Sequence, residues 1–323
     1  MLTATSLSLL MLACSTAAAS ALATPPRGVL GPPAHFDGLK VGSQFLSVSR
    51  ECSITGAAVN FEVVKLASRP ACFHIGGLLS AAEYNQIVAA ADAAGTDQAT
   101  TAGGDARNNC GVAWLPLVSD DTATAVSVAC EQLFLQPDVL EPSSWTNGGR
   151  FENMQVLKYT EGGEFKLHYD ANEQEHRMLT VLLYLNGVGE TWFPLALRDP
   201  ADAASVENQN PPRVAALAAA RQLLPRRDGL TVAPKIGDAV AFYNLLDGGA
   251  GQVDRLSLHA GLPAPGVKSV AALWYHVDLK QGEMGRRGSA VLHMRLRARH
   301  GSRVRYFRAV VRGANLNDRP EAF

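Results

Sequence analysis

The sequence predicts an α+β fold that is mainly β: a double-stranded β-helix, or jelly-roll barrel, with helices before it and a basic β-hairpin after it. Between residues 151 and 277, short apolar runs alternate with turns rich in Gly and Pro, which is the pattern of a sandwich or barrel. Two segments with helical periodicity precede this region. A segment of alternating basic and apolar residues follows it. Together these three observations favour a closed antiparallel β-architecture with flanking helices.

The composition is that of a globular protein. The chain has 323 residues, of which 47% are hydrophobic, enough for one large domain or two. The formal net charge of −1 gives no general attraction to nucleic acid or to an anionic membrane surface. A nucleic-acid partner is therefore not expected.

Residues 1–23 are predicted to be a secretory signal peptide. They are apolar and rich in alanine, and they end in a small-x-small cleavage pattern at Ala21–Ala23. No basic residue precedes Arg27, so an uncleaved single N-terminal membrane anchor is the alternative. No later segment is long and apolar enough to span a bilayer. We therefore expect the protein in the secretory pathway, in the lumen of the endoplasmic reticulum.

The cysteine pattern leaves two possibilities open. Cys14 lies within the predicted signal peptide. The remaining four are widely spaced and match no zinc motif: Cys52, Cys72, Cys110 and Cys130. An even number suits two disulfide bonds in an oxidising lumen. Buried free thiols explain the same pattern equally well.

The segment before the barrel is predicted to contain a linker and two helices. Residues 24–68 are interpreted as a linker followed by irregular structure or an edge strand. Ser80 with Glu83 forms a capping box, which starts a first helix that ends at Gly95. Apolar spacing predicts a second helix over residues 122–134.

The predicted catalytic domain spans residues 69–279. Its strands are expected at residues 154–159, 165–170, 178–186, 189–194, 234–243, 256–260 and 270–277. An insertion at 198–230 interrupts them and carries a predicted helix at 214–224, flanked by prolines. This helix either packs on the barrel or covers its opening.

The C-terminal extension, residues 280–323, holds eleven Lys or Arg residues against three acidic ones. Alternation over residues 291–299, followed by a second run at 304–311, predicts a hairpin with one basic face. Such a face is either a solvated edge protected from aggregation by its charges or a contact for an anionic partner.

Three residues in this barrel have the character of a metal site. His168 and Asp170 lie two apart on a predicted strand, so their side chains point to the same side. His259 begins a later strand-like run. Two histidines and one carboxylate on one face of an octahedron form the iron(II) site of non-haem oxygenases. A lone His-x-Asp is more often structural, so the surrounding pattern must support the assignment.

That pattern resembles the catalytic domain of the prolyl 4-hydroxylases, which are 2-oxoglutarate- and iron-dependent dioxygenases. The matching pieces are 155–159, His168-x-Asp170, Arg177, 180–186, 189–194, 234–239, 257–263 and Gly266-x-Lys268. The resemblance is dense from about residue 151 to 277 and weaker back to about residue 70. It does not include the first 65 residues, the insertion or the C-terminal extension.

The resemblance implies a role for each matching residue. His168, Asp170 and His259 would bind Fe(II), while Lys268 and Thr191 would bind the distal carboxylate of 2-oxoglutarate.

Phe165 stands where the family usually has a tyrosine that also holds 2-oxoglutarate. Tyr159 is the predicted substitute, and weaker co-substrate binding is expected. Arg177 and Trp274 match peptide-substrate contacts, although a surface ion pair and a core indole explain them equally well.

The implied reaction is the hydroxylation of peptidyl proline with O2, with succinate and CO2 as co-products and L-ascorbate keeping the iron reduced. The expected partner is a proline-containing peptide or protein, and the oligomeric state stays open. Two alternatives also stay open: a 2-oxoglutarate oxygenase of the same fold acting on lysine or a small molecule, and a non-catalytic binding module.

Overall fold

The computed structural model describes residues 30–98, 107–117, 120–135, 152–171, 177–199, 229–247, 251–276 and 310–313. Two α-helices lie in this part of the chain: α1 (Ala81–Ala94) and α2 (Asp121–Phe134). The strands before the second helix are β1 (Gln44–Glu51), β2 (Ala58–Ala67), β3 (Cys72–Gly76), β4 (Asp97–Gln98) and β5 (Cys110–Leu115). Those after it are β6 (Met154–Tyr159), β7 (Phe165–His168), β8 (Arg177–Tyr184), β9 (Thr191–Phe193), β10 (Leu230–Val232), β11 (Ala239–Tyr243), β12 (His259–Gly261), β13 (Lys268–His276) and β14 (Val310–Gly313).

The strands form two antiparallel sheets. The larger has ten strands in the order β14-β1-β2-β3-β11-β8-β13-β6-β5-β4, and the smaller has four in the order β10-β9-β12-β7. In both sheets most neighbouring strands are distant in sequence, so the chain crosses repeatedly from one sheet to the other. The predicted jelly-roll fold, mainly β with preceding helices, is confirmed.

Three apolar clusters hold the layers together. The largest fills the space between the outer face of the large sheet and the two helices, with Phe73, Ile87 and Phe134 fully buried. A second lies between the sheets, where Phe193 of β9 meets Phe242 of β11 at 4.9 Å between ring centroids. A third lies on the small sheet around Trp192. The site described below lies between the sheets, beside the second cluster.

Residues 24–68, predicted as a linker followed by irregular structure or an edge strand, contain two strands at 44–67. These are β1 and β2, which pair from Phe45–Val64 to Glu51–Ala58 and join the large sheet beside β3, so that β2 lies inside the sheet and not at its edge. Cys52 donates its backbone N–H to the Ala57 carbonyl at 2.8 Å and closes the turn between them. Strand β2 has a period-two alternation, with Val59, Phe61 and Val63 buried between Asn60 and Glu62. Strand β1 was missed because its buried apolar residues are only Leu46 and Val48.

The two helices predicted before the barrel are confirmed, and several strand boundaries change. Ser80 and Glu83 form the predicted capping box at the start of α1. The predicted strand at 256–260 begins only at His259, because Arg255–Ser257 is a short 3-10 helix. Sequence reasoning also missed β4 and β5, which extend the large sheet beyond β6.

The predictions for the termini are only partly described by the structure. Strand β14 pairs with β1, with Val311 opposite Leu46. The rest of the predicted basic hairpin, the signal peptide at 1–23 and the insertion helix at 214–224 lie outside the described residues. Within the described residues, neither helix has the length and apolar character needed to cross a bilayer.

The four cysteines that the structure describes are buried free thiols: Cys52, Cys72, Cys110 and Cys130. Of the two possibilities left open by the sequence, the structure therefore has free thiols and not two disulfide bonds.

Candidate active site

His168, Asp170 and His259 meet between the two sheets. Strand β7 ends at His168, β12 begins at His259, and the two histidines face each other in the register of this strand pair. Asp170 follows two residues after His168, so that its carboxylate reaches the same point. One ligand atom from each residue lies within 4.8 Å of the others. The three predicted metal ligands are thus brought together.

Backbone carbonyls orient both imidazole rings. His168 Nδ1 lies 2.7 Å from the Lys166 carbonyl oxygen, and His259 Nδ1 lies 2.9 Å from that of Ser257. A carbonyl only accepts, so Nδ1 carries the proton and donates it, leaving the Nε2 lone pair for a metal ion. The two Nε2 atoms lie 3.4 Å and 3.6 Å from the two carboxylate oxygens of Asp170.

A buried hydrogen-bond chain orients the carboxylate. The Thr180 hydroxyl donates to Asp170 Oδ2 at 2.7 Å and accepts from the Asn244 side-chain amide at 2.8 Å. Thr180 and Asn244 are both fully buried. This hydrogen-bond chain restricts rotation of the Asp170 carboxylate. Residues that contact a metal ligand but not the metal commonly fix the ligand in this way.

The protonation states suit a divalent cation. Burial alone would raise the pKa of Asp170, but its neighbours His259, His168 and Thr180 outweigh this effect and hold the pKa well below its usual range. Burial, with the neighbouring His168, lowers the pKa of His259 to about 4. An ionised carboxylate and neutral imidazoles are the forms that bind metal. Two imidazole nitrogens and one carboxylate, with room for further ligands, fit Fe(II).

The metal-binding cluster lines a pocket between the two sheets. Apart from the three ligands, the described residues that line it are Arg107, Leu157, Tyr159, Phe165, Leu182, Thr191, Gly261, Lys268, Val270, Ala272 and Trp274. The walls are therefore mainly apolar, with polar groups at a few positions, as is common in small-molecule sites.

Lys268 provides a buried cation in this pocket. It is 3% exposed, and its Nζ donates to the Glu190 carbonyl oxygen at 3.3 Å. It forms no ion pair with any residue in the described part of the chain. Burial lowers the pKa of Lys268 to about 8, because the cost of removing an ammonium from water falls only on its charged form. A carboxylate ligand would offset this cost.

Thr191 and Tyr159 line the pocket as predicted. The Thr191 hydroxyl accepts from the Tyr184 hydroxyl at 2.9 Å, so its own proton is available to a ligand. The centroid of the Tyr159 ring lies 5.7 Å from the Lys268 ammonium, and the two residues lie opposite each other in the pairing of β6 with β13. Lys268, Thr191 and Tyr159 together form one end of the pocket, and this end suits a carboxylate ligand.

Arg107 is a pocket residue that sequence reasoning missed. The glycines and polar residues at 103–109 favour a loop, and nothing in the local sequence distinguishes Arg107. Arg107 forms a single β-bridge with Phe165, and its guanidinium carbon lies 4.1 Å from the centroid of the Phe165 ring. The Phe165 ring in turn stacks on the His168 imidazole, with 3.4 Å between centroids.

Arg177 and Trp274 lie together, but only Trp274 lines the pocket. Arg177 donates two hydrogen bonds to Glu152, at 2.5 Å and 2.8 Å, and its guanidinium carbon lies 4.3 Å from the Trp274 ring centroid. His276 Nε2 lies 2.7 Å from the same carboxylate. The predicted ion pair at Arg177 is therefore present and partly buried, and it positions the indole that lines the pocket.

Comparisons with known proteins agree with this geometry. The family described as the 2OG-Fe(II) oxygenase superfamily matches residues 154–276. Probable prolyl 4-hydroxylase 4 of Arabidopsis thaliana is 30% identical over 235 residues, which cover 67% of this chain and 71% of that protein. Prolyl 4-hydroxylase 2 of Arabidopsis thaliana is also 30% identical, over 240 residues with the same coverage of both chains.

A human relative and a viral structure are also similar to parts of this chain. The human transmembrane prolyl 4-hydroxylase is 33% identical over 172 residues, 45% of this chain and 32% of its own length. Among solved structures, the viral collagen prolyl hydroxylase of Paramecium Bursaria Chlorella virus-1, in a 2OG complex, superposes with a TM-score of 0.42. It is 21% identical, covering 64% of this chain and 96% of that one.

Proposed function

The chain belongs to the prolyl 4-hydroxylase family of 2-oxoglutarate- and Fe(II)-dependent dioxygenases, and we propose that it hydroxylates proline residues in peptides or proteins. One observation carries the proposal: the cluster of His168, Asp170 and His259 shares its pocket with Lys268, a buried cation without an ion pair among the described residues. Metal ligands at one end of a pocket and a carboxylate-binding end nearby match the two functional groups of 2-oxoglutarate.

The protein supplies binding and orientation. The two histidines and Asp170 hold the metal ion in a fixed position. Bound Fe(II) and 2-oxoglutarate together supply the oxidation with O2, in which succinate and CO2 leave and one oxygen atom enters a C–H bond of the substrate. L-Ascorbate serves as the external reductant that keeps the iron in its ferrous state.

Lys268 and Thr191 position the co-substrate. The ammonium pairs with the distal carboxylate, and the Thr191 hydroxyl donates its free proton to the same group. Such charge-assisted hydrogen bonds are stronger than neutral ones. Because the surrounding walls are apolar, they exclude water and strengthen these contacts.

The substrate proline enters from the side lined by Trp274. The apolar side chains that line the pocket, Leu157, Leu182, Val270 and Ala272, suit the apolar pyrrolidine ring. Arg177 stacks on the outer face of the Trp274 ring and keeps the indole against the substrate. Trp274 Nε1 is buried without a partner in the described structure, so a carbonyl of the peptide can accept its proton.

We place the enzyme in the secretory pathway, in the lumen of the endoplasmic reticulum, on the basis of the apolar segment at residues 1–23. A single N-terminal membrane anchor is the alternative form of the same proposal. Mapping the N-terminus of the mature protein decides between them: cleavage near Ala23 supports a signal peptide, and a start at Met1 contradicts it.

The function is tested by coupled turnover. The protein is incubated with Fe(II), 2-oxoglutarate, ascorbate and a proline-rich peptide, and succinate and peptide mass are measured together. We expect peptide-dependent succinate release and the gain of one oxygen atom, both lost in His168→Ala. A matched peptide with alanine in place of every proline is the control. Succinate release without peptide modification would contradict the proline substrate and favour lysine or a small molecule.

A further inference from the structure

We propose that Arg107 is a second cation for the distal carboxylate of 2-oxoglutarate, supplying the hydrogen bond that Phe165 lacks. This inference rests on the proposed function and deepens it. The relevant feature is a stack of three groups at the edge of the pocket: the Arg107 guanidinium, the Phe165 ring and the His168 imidazole. The ring separates the cation from the metal ligand, so Arg107 lies on the side away from the metal ion.

The position of Arg107 is fixed by its backbone. It bridges to Phe165, and the following residues continue the contact with the same part of the chain. Asn108 donates its N–H to the Glu164 carbonyl at 3.2 Å, and Thr160 donates to the Asn109 carbonyl at 2.9 Å. The backbone at Arg107 is therefore held beside the pocket by hydrogen bonds, and the guanidinium stacks on Phe165.

Arg107 has unused binding capacity. It forms no ion pair with any described residue, and its Nε is buried without a hydrogen-bond partner. A buried polar nitrogen left unpaired is costly. Stacking on an aromatic ring partly compensates a cation for its lost hydration, but it satisfies none of the N–H donors of the guanidinium. An anion in the pocket would satisfy them.

The charge of the pocket identifies that anion. Among the described residues lining it, Arg107 and Lys268 are the basic side chains outside the metal cluster, and the acidic side chain is the metal ligand Asp170. Once Asp170 faces a metal ion, no acidic side chain among the described lining residues remains to pair with either cation. Lys268 and Phe165 are close: a Cβ on Gly261 would lie 3.1 Å from the Lys268 ammonium and 3.6 Å from Phe165 Cβ. Arg107 and Lys268 therefore border the same end of the pocket.

2-Oxoglutarate carries two carboxylates. Its 2-oxo acid end belongs at the metal, so the distal carboxylate is the group left for these cations. A phenol at position 165 would donate one hydrogen bond there, and Phe165 donates none. A guanidinium presents several donors in a planar fork that matches a carboxylate. Arg107 thus replaces a neutral donor with a charged one.

The test measures ligand binding and not turnover. Calorimetric titrations on Fe(II)-loaded protein under nitrogen compare 2-oxoglutarate with 2-oxopentanoate, which has the same oxo acid end but a methyl group in place of the distal carboxylate. Arg107→Met keeps an apolar chain against Phe165 and removes the charge. We expect it to weaken 2-oxoglutarate binding about ten- to hundred-fold, as for loss of a charge-assisted hydrogen bond, and to leave 2-oxopentanoate binding unchanged.

Two further variants sharpen the result. Arg107→Lys should retain part of the 2-oxoglutarate affinity because it keeps a cation. Lys158→Met is the matched control, since Lys158 neighbours Tyr159 on β6 but is exposed and pairs with Asp92 at 3.0 Å. This variant should change the affinity for neither ligand. Circular dichroism of all variants confirms that they are folded.

Other outcomes separate the inference from the proposed function. Equal weakening of both ligands in Arg107→Met would assign Arg107 to shaping the pocket and overturn the inference. Unchanged 2-oxoglutarate binding, with a raised KM for peptide, would overturn it in favour of a substrate contact. A wild-type protein that does not prefer 2-oxoglutarate over 2-oxopentanoate would contradict the proposed function itself, and the inference with it.

Discussion

Replacing Thr180 with valine should weaken metal binding without touching a metal ligand. The two side chains have nearly the same shape, so Thr180→Val removes one hydroxyl and little else. That hydroxyl donates to Asp170 Oδ2 at 2.7 Å and accepts from the Asn244 amide at 2.8 Å. The variant therefore breaks both links of the chain that orients the carboxylate.

The expected size follows from the burial of these groups. A hydrogen bond to a charged group contributes roughly 1.5–3 kcal/mol, and loss of such an outer partner typically lowers metal affinity about 10- to 100-fold. We expect a loss in this range for Fe(II). The variant also leaves the fully buried Asn244 amide without its acceptor, which should reduce the free energy of unfolding by about 1–3 kcal/mol.

The two effects are measured separately. Fe(II) titration under nitrogen gives the affinity, and thermal unfolding of the metal-free protein gives the stability. Ser127→Ala is the control, because Ser127 is a buried hydroxyl that lies 3.3 Å from the Tyr275 hydroxyl, away from the metal ligands. It should lower stability and leave Fe(II) affinity unchanged. If Thr180→Val binds Fe(II) as tightly as wild type, the carboxylate does not need this chain and the reasoning is refuted.

Three further predictions concern the pocket. Phe165→Tyr should tighten 2-oxoglutarate binding up to about ten-fold by adding a donor; calorimetry showing weaker or equal binding would contradict this. Burial lowers the pKa of Lys268 to about 8, and only its charged form pairs with a carboxylate. The affinity for 2-oxoglutarate should therefore be constant below pH 8 and fall above it. An affinity that stays constant through about pH 9 and beyond would argue against Lys268 as the counter-ion. Arg177→Lys loses the paired hydrogen bonds to Glu152 and the stacking on Trp274. Steady-state kinetics should therefore show a higher KM for the peptide and an unchanged KM for 2-oxoglutarate. A rise in both KM values would instead indicate a general disturbance of the pocket.

The metal site was predictable because its geometry is local. His168 and Asp170 share one side of the chain through their two-residue spacing, and only His259 had to be found at a distance. Its assignment came from the order of the barrel pieces and the resemblance to a family. Lys268 and Thr191 were identified through that resemblance, and the structure places both in the pocket.

The features that sequence reasoning missed depend on contacts between distant segments. Strand β1 pairs on one side with β14, which lies more than 250 residues later in the chain, and no local pattern reveals that partner. Arg107 reaches the pocket only through its bridge to Phe165. Its neighbourhood resembled a polar loop, so its role could not be inferred from the residues beside it.

The proposed reaction inserts one oxygen atom from O2 into a prolyl residue. Turnover of a proline-rich peptide under isotopically labelled O2, followed by fragmentation mass spectrometry, shows where that atom goes. We expect one labelled oxygen atom on a proline, together with one succinate released for each hydroxylation. Label on another residue type, or a modified proline whose oxygen comes from water, would contradict it.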